Sequence, residues 1–70
     1  MKKYYGTFGQ IHTHSVDGIT FDKDCVVEIE AENYEEARKY MFAVFGQTWC
    51  FLYKEKPDMG FFPRGIFKIK

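Results

Sequence analysis

The chain has 70 residues, which suits one small globular domain spanning residues 1–70 and leaves no room for a second. Ten basic residues balance ten acidic ones, and this zero net charge argues against a general nucleic-acid binder, which usually has a basic excess. Hydrophobic residues make up 46% of the chain, which argues against intrinsic disorder, and aromatic residues make up 20%. We therefore predict a folded domain whose aromatic side chains compensate for a small core.

The sequence carries no recognisable membrane or export signal. No apolar run approaches the roughly 20 residues that span a bilayer, and residues 1–5 lack the apolar stretch of a signal peptide. A cytoplasmic protein without a membrane partner is therefore predicted. Its two cysteines, Cys25 and Cys50, are expected to be reduced and mostly buried, because cytosolic proteins rarely contain disulfides.

The first half of the chain consists of strand-forming residues separated by turn signals. Residues 4–14 are rich in Tyr, Thr, Phe and Ile, with two glycines that indicate a bulge or a close approach by another group. Residues 16–19, Val-Asp-Gly-Ile, are typical of a hairpin turn. Cys25–Ala31 alternates between apolar and mostly polar positions, which predicts a half-buried strand whose inner face meets a helix.

The best-defined predicted element is a helix over Tyr34–Phe45. Asn33 is a favoured N-cap, Glu36 stands where a capping box needs an acid, and Gly46 provides the stop. One apolar stripe at helical spacing comprises Ala37, Tyr40, Met41, Val44 and Phe45. Phe42 falls on the flank of this stripe, so we predict that it contacts something other than the main core.

The remaining segments complete the predicted fold. Residues 48–53 are apolar at successive positions, which predicts a central strand or a sheet whose second face is also covered. A loop at 57–60 precedes a short last strand at 66–69. We predict an α+β domain of order β-β-α-β-β, with one helix packed on a mixed sheet of about four strands, and an extra short strand at 19–21.

Charge is balanced overall but segregated along the chain. Residues 17–36 carry eight acidic side chains against Lys23 alone, whereas the segments before and after are basic. Either the two halves pair within one sheet, or the fold has an acidic and a basic face that can each steer a partner. The acidic candidates for binding a basic partner surface are Glu28, Glu30, Glu32, Glu35 and Glu36.

Signals for catalysis and metal binding are weak. His12 and His14 share a face if their segment is extended, but no further metal-ligand motif accompanies them. Cys25 and Cys50 lie in predicted apolar strands, where thiols tend to be inert. We therefore predict no enzymatic activity, no cofactor and no metal.

Residues 61–65, Phe-Phe-Pro-Arg-Gly, form the loop with the clearest binding character. Phe61 and Phe62 point to opposite sides of an extended chain, so both are buried only if both sides are covered. Arg64 beside aromatic residues is typical of binding hot spots and suits a phosphate or a nucleobase. The alternative is a bulge with both rings in the core and Arg64 in solvent.

Residues 29–53, IEAENYEEARKYMFAVFGQTWCFLY, resemble small uncharacterised proteins of bacteriophages and prophages. In that pattern a strand ending in hydrophobic-x-Ala leads into a helix with Glu-Ala-Arg, which ends at Phe-Gly before an aromatic strand. The flanks at 9–18 and 61–69 are similar as well. The resemblance implies no catalytic activity. It implies a protein of the host cytoplasm that binds a host or antiphage-defence component, as inhibitors of CRISPR systems do.

Two functions are therefore predicted. The first is a non-enzymatic interaction protein, such as a phage-type inhibitor, that uses the acidic residues or a patch of Phe42, Phe61 and Phe62 with Arg64. The second is a small-ligand or nucleotide-binding homo-oligomer with its site at the subunit interface, lined by Tyr4, Tyr5, His12, His14 and Arg64. Tyr40, Phe45, Trp49 and Phe51 are predicted in the core beside the helix stripe. The aromatic residues predicted as surplus to the core are Phe42, Phe61, Phe62, Tyr4 and Tyr5. Either function is compatible with a homodimer, since a second copy would cover this surplus aromatic surface.

Overall fold

The computed structural model describes residues 1–9, 13–16 and 18–70 of the chain. Within these residues the elements, in chain order, are β1 (Lys2–Thr7), β2 (His14–Val16), β3 (Ile19–Phe21), β4 (Cys25–Ala31), α1 (Tyr34–Phe45), β5 (Phe51–Tyr53), a 3₁₀ helix (Met59–Phe61) and β6 (Gly65–Lys68). One helix packs on a mixed four-stranded sheet, and β2 and β3 form a separate hairpin. The predicted α+β fold class is confirmed.

The four-stranded sheet has the order β5-β1-β4-β6. β1 is antiparallel to both of its neighbours, and β6 runs parallel to β4. The predicted strand over 4–14 is divided, because β1 ends at Thr7 and β2 starts at His14. β5 lies at an edge, so the prediction of a central strand for 48–53 is wrong.

Helix α1 has the predicted bounds because its end signals are local. The Asn33 side chain accepts a hydrogen bond from the Glu36 N–H at 3.0 Å, which caps the first turn. The Glu36 carboxylate in turn accepts from the Glu32 N–H at 3.3 Å, one residue away from the position that a capping box uses. Gly46 ends the helix with a positive φ of 61° and donates to the Phe42 carbonyl.

The main core lies between α1 and the sheet. Ala37, Met41 and Phe45 are the buried residues of α1, as the apolar stripe predicts. The Phe45 ring lies 5.0 Å from that of Phe8 and 5.3 Å from that of Phe21, centroid to centroid. These contacts attach the β2–β3 hairpin to the end of the helix.

At its two inner strands the sheet is also covered on the face away from α1. Val26 is 0% exposed and Thr7 and Tyr5 are buried, although strand alternation turns all three away from the helix. Residues 54–64 join β5 and β6, which form opposite edges of the sheet. At β5 the same face is open, because Phe51 and Tyr53 share it with Thr7 and Tyr5 by register and are 58% and 41% exposed. The alternative prediction for 48–53, a sheet whose second face is also covered, is therefore wrong at this strand.

The aromatic residues are distributed differently from the prediction. Tyr4 and Tyr5, predicted as surplus to the core, are buried because β1 is an inner strand. Phe51, predicted in the core, is 58% exposed because β5 is an edge strand. Cys50, just before β5, is likewise exposed, whereas Cys25 is buried as predicted, and both thiols are free.

Candidate binding surfaces

A groove of about 370 Å³ lies beside the edge strand β5, with one flank of α1 as its opposite wall. It is termed the β5 groove and is defined by Arg38, Phe42, Trp49, Phe51 and Leu52. Its lining combines exposed aromatic rings with one guanidinium group. This combination is typical of sites where proteins bind other proteins.

Phe42 is held at this groove by its position on the helix. It lies outside the core, as its place on the flank of the stripe predicts, and is 41% exposed. Its ring meets the Trp49 ring edge-on at 5.1 Å, and the Arg38 guanidinium lies 4.9 Å from its centroid. The Trp49 indole N–H donates to the Gly46 carbonyl at 3.1 Å. These contacts order the aromatic wall without burying it.

The strand β5 presents an open edge at the groove. Among the described residues it pairs only with β1, and its other side has no strand neighbour. Phe51 and Tyr53 project from the same face of this strand with their rings 5.9 Å apart, and both are exposed. An open edge with apolar side chains favours pairing with another chain.

The rings of the predicted aromatic patch, Phe42, Phe61 and Phe62, do not contact one another. Phe61 ends the 3₁₀ helix and is 75% exposed, while Phe62 is half-buried, and neither makes a ring contact with another described aromatic residue. Phe42 instead contacts Trp49, which packs against the core as predicted, and lines the groove with Phe51, which was predicted in the core and is exposed. A pattern that is apolar on both faces does not reveal whether a strand is central or at an edge.

Arg64 connects structural elements. Its guanidinium donates to the Thr20 carbonyl and lies 3.4 Å from the Asp22 carboxylate, while its backbone N–H donates to the Asp24 carbonyl at 2.9 Å. These bonds tie the start of β6 to β3 and to the turn before β4. The side chain remains partly exposed, but its guanidinium group already has partners within the protein.

The residues predicted for the ligand-binding alternative are separated in the fold. Arg64 precedes Gly65, which pairs with Cys25 at the start of β4, whereas Tyr4 pairs with Ile29. Four residues along a strand correspond to roughly 13 Å. His14 belongs to β2, and His12 lies outside the described residues. Among the described residues of this set, Tyr4 and Tyr5 line one cavity, the lysine hollow defined below.

The five acidic candidates do not form one face. Glu28 and Glu30 lie on the sheet face away from α1, whereas Glu32, Glu35 and Glu36 surround the start of the helix. Glu30 is 2.7 Å from the Lys68 ammonium and pairs in register with Lys3. The acidic and basic halves of the sequence thus meet within the sheet, which favours the first interpretation of the charge pattern.

The ion pair between Glu30 and Lys68 leads to a testable titration. The Lys68 hydrogen bond and its charge lower the pKa of Glu30, and the carboxylate raises the pKa of Lys68 in return. The ionised Glu30 therefore contributes to stability above the ordinary glutamate pKa, and this contribution is lost as the pH falls through the lowered pKa. Carboxyl-carbon NMR should show Glu30 titrating below the ordinary glutamate range.

The control for this titration is a second lysine. Lys68→Gln should move the Glu30 midpoint back toward the ordinary range, because it removes the hydrogen bond and the charge together. Lys70→Gln, which removes an equal charge two residues away, should leave the midpoint in place. An unshifted midpoint in the unmodified protein would contradict the prediction.

A larger cavity of about 740 Å³ lies at the other end of β1. β5 pairs only with Tyr5, Gly6 and Thr7, so the first half of β1 has no strand neighbour on that side. The cavity follows this free edge and is closed by the residues after β5. It is termed the lysine hollow, and its lining includes Lys2, Lys3, Tyr4, Tyr5, Lys54 and Lys56.

The buried thiol of Cys25 is not an activated nucleophile. Burial, the largest effect, raises the pKa of Cys25 above that of an ordinary thiol, and the Asp22 N–H donates to its sulfur at 3.2 Å. In the described part of the chain, no three His, Cys, Asp or Glu side chains gather to hold a metal ion. No helix in the same part is long and apolar enough to cross a membrane.

Comparisons with protein-family models, with curated proteins and with solved structures find no match to this chain. The resemblance of residues 29–53 to phage and prophage proteins therefore stays a prediction. Function has to be argued from the two surfaces described above, the β5 groove and the lysine hollow.

Proposed function

We propose that this protein is a non-enzymatic interaction protein that acts by stoichiometric binding of a partner protein at the β5 groove. The observation that carries the proposal is a groove beside an open sheet edge, lined by the exposed rings of Phe42 and Phe51 and the partly buried ring of Trp49. Aromatic side chains and arginine dominate the energetics of protein interfaces. Covering one such side chain is worth about 1.5–3 kcal/mol, which is a strong drive for association.

The partner segment that fits the groove is an extended apolar stretch bearing an acidic side chain. An extended chain can continue the sheet by pairing with the free edge of β5, with its apolar side chains against Phe42 and Phe51. The described lining of the groove includes Arg38 and no carboxylate. An acidic residue on the partner therefore matches Arg38 in charge.

The class of partner is suggested by the resemblance of residues 29–53 to phage and prophage proteins. Accessory proteins of that kind bind host or antiphage-defence components in the host cytoplasm and inhibit them without catalysis. Such components are the first partners to screen. The proposal itself rests on the groove and does not depend on this choice.

The test compares capture by three forms of the tagged protein. The unmodified protein, a Phe42→Ser/Phe51→Ser double variant and a Phe61→Ser control are used to capture proteins from a lysate of the natural host, read by mass spectrometry. Phe61 is the matched control because it is an aromatic residue that is 75% exposed and lies outside the groove lining. Circular dichroism establishes that all three forms are folded.

We expect one protein to be retained by the unmodified form and the control and lost from the groove variant. That protein, purified, should form a complex of fixed stoichiometry, and the groove variant should weaken the affinity about 30-fold or more, the effect of losing one hot spot. Retention by the groove variant, or equal loss from the control, would show that the groove is not the binding site.

A second copy of the chain is the competing occupant of the groove. Light scattering of the purified protein measures its mass directly. A dimer that becomes monomeric in the Phe42→Ser/Phe51→Ser variant would mean that the groove is a subunit interface, against the partner proposed here. A monomer in both forms leaves the groove free for a different protein, as proposed.

A further inference from the structure

The lysine hollow has an excess of positive charge that is not neutralised by ion pairs among the described residues. Four lysine residues line it, Lys2, Lys3, Lys54 and Lys56, against one acidic residue, Glu55. In the described part of the chain none of the four forms an ion pair. Lys3 also acts at longer range on Glu30, but that carboxylate is already bonded to Lys68. The hollow therefore attracts anions.

Part of the lining of the hollow is aromatic. Tyr4 and Tyr34 meet edge-on with centroids 6.0 Å apart, on the sheet face that meets α1. Tyr5 also lines the hollow, but strand alternation places its side chain on the opposite face. Tyr4 is 3% exposed, so the pair of Tyr4 and Tyr34 is a firm apolar surface on which a flat group can pack.

The hydroxyl groups of Tyr4 and Tyr5 are a second indication of a ligand. Neither has a hydrogen-bond partner among the described residues. Both hydroxyl oxygens reach solvent, because every fully buried side-chain oxygen in the described residues has a hydrogen-bond partner. The Tyr4 hydroxyl, next to Tyr34 on the helix face of β1, is therefore available to hydrogen-bond a group in the hollow, and the Tyr5 hydroxyl is available on the opposite face.

We propose that the lysine hollow binds a small phosphorylated molecule with a ring, of the nucleotide class. The lysines would hold the phosphates, and Tyr4 and Tyr34 would hold the ring, with a hydrogen bond from the Tyr4 hydroxyl. The volume of about 740 Å³ lies within the range of small-molecule sites. A nucleic-acid strand fits less well, because the chain has no net positive charge outside this local cluster.

This site adjoins the β5 groove, because Tyr34 lines both cavities, but the residues that carry the two proposals differ. The four lysines line the hollow and not the groove, and Phe42 and Phe51 line the groove and not the hollow. The Phe42→Ser/Phe51→Ser variant should therefore still bind the ligand, and a charge variant of the hollow should still bind a partner protein. Failure of one proposal leaves the other standing.

The test uses ATP as the probe, followed by isothermal titration calorimetry and amide NMR. ATP should bind saturably, shift the amide signals of residues 2–5, 33–34 and 54–56, and bind less tightly as salt is raised. Adenosine and inorganic phosphate separate the contribution of the ring from that of the phosphates. Each should bind more weakly than ATP.

Two double variants with the same charge loss decide where ATP binds. Lys54→Gln/Lys56→Gln should lower the affinity about tenfold or more, because each ammonium can make a charge-assisted hydrogen bond. Lys39→Gln/Lys70→Gln removes two exposed lysines that do not line the hollow, and should change the affinity less than twofold.

Three outcomes would overturn the proposal. The first is the absence of saturable binding of either ATP or inorganic phosphate at millimolar concentration. The second is an equal loss of affinity in both double variants, which would indicate diffuse attraction to positive charge. The third is tighter binding of a single-stranded oligonucleotide than of ATP, which would assign the hollow to nucleic acid.

Discussion

Replacing Phe45 by alanine is expected to lower the free energy of unfolding by about 3–5 kcal/mol. The side chain is 1% exposed and packs at the end of α1 against the rings of Phe8 and Phe21, which join β1 and the hairpin to the helix. The change leaves a cavity where three segments of the chain meet. A domain of 70 residues has a total stability of roughly 3.5–10 kcal/mol, so the variant should be largely unfolded or close to it.

The measurement is urea unfolding followed by circular dichroism, with Phe51→Ala as the matched control. Phe51 is also a phenylalanine, but it is 58% exposed on the edge strand, so its truncation should cost less than about 1 kcal/mol. Equal losses in the two variants would mean that the ring cluster around Phe45 is not the centre of the core. If Phe45→Ala is unfolded without urea, Phe45→Leu gives a smaller loss of the same sign that can still be measured.

Gly6→Ala is expected to destabilise the protein by about 1–3 kcal/mol. A Cβ atom at this position would lie 2.5 Å from the Met41 Cε, 2.9 Å from its Sδ and 3.0 Å from a Val27 methyl. The end of a methionine side chain moves readily, but Met41 is fully buried and has packed neighbours on its other sides. The overlap should therefore exceed the entropy that alanine saves in the unfolded chain.

A double-mutant cycle isolates this contact. Met41→Ala alone should cost about 2–5 kcal/mol because it opens a cavity against β1. In the double variant the new methyl group of Gly6→Ala points into that cavity, so the total cost should fall short of the sum by about 1–2 kcal/mol. Urea unfolding of all four forms gives the coupling. Additive losses would show that the close approach of α1 to Gly6 does not limit the size of this residue.

The elements whose signals are local could be predicted from the sequence. Helix α1 has its predicted bounds because Asn33 and Gly46 act within one turn of its ends. The inner face of β4 follows from the apolar residues at every second position from Cys25 to Ala31, and the β2–β3 hairpin from Asp-Gly flanked by apolar residues. The one-helix, mixed-sheet class then follows, because a helix stripe and a strand face must bury each other.

Strand order and both candidate sites were decided by the tertiary structure. The same apolar sequence suits a central strand or an edge strand with a covered second face, and only pairing between distant segments places β5 at the edge and β1 inside. That choice buries Tyr4 and Tyr5 and exposes Phe51. The aromatic residues, 20% of the chain, are therefore divided between the core and the β5 groove, and hydrophobic periodicity does not predict which residue goes where.

Charge shows the same limit. The sequence by itself determined that acidic and basic residues are segregated along the chain, but not which of them meet. The register between β4 and its neighbours places Glu30 beside Lys68 and Lys3. Because β5 is short and leaves the first half of β1 unpaired on that side, four lysines and two tyrosines of β1 and of the segment after β5 line a cavity there. Local patterns specify secondary structure because they act over one or two turns. Sites that depend on side chains from distant segments form only when the strands pair, because long-range pairing determines which segments become neighbours.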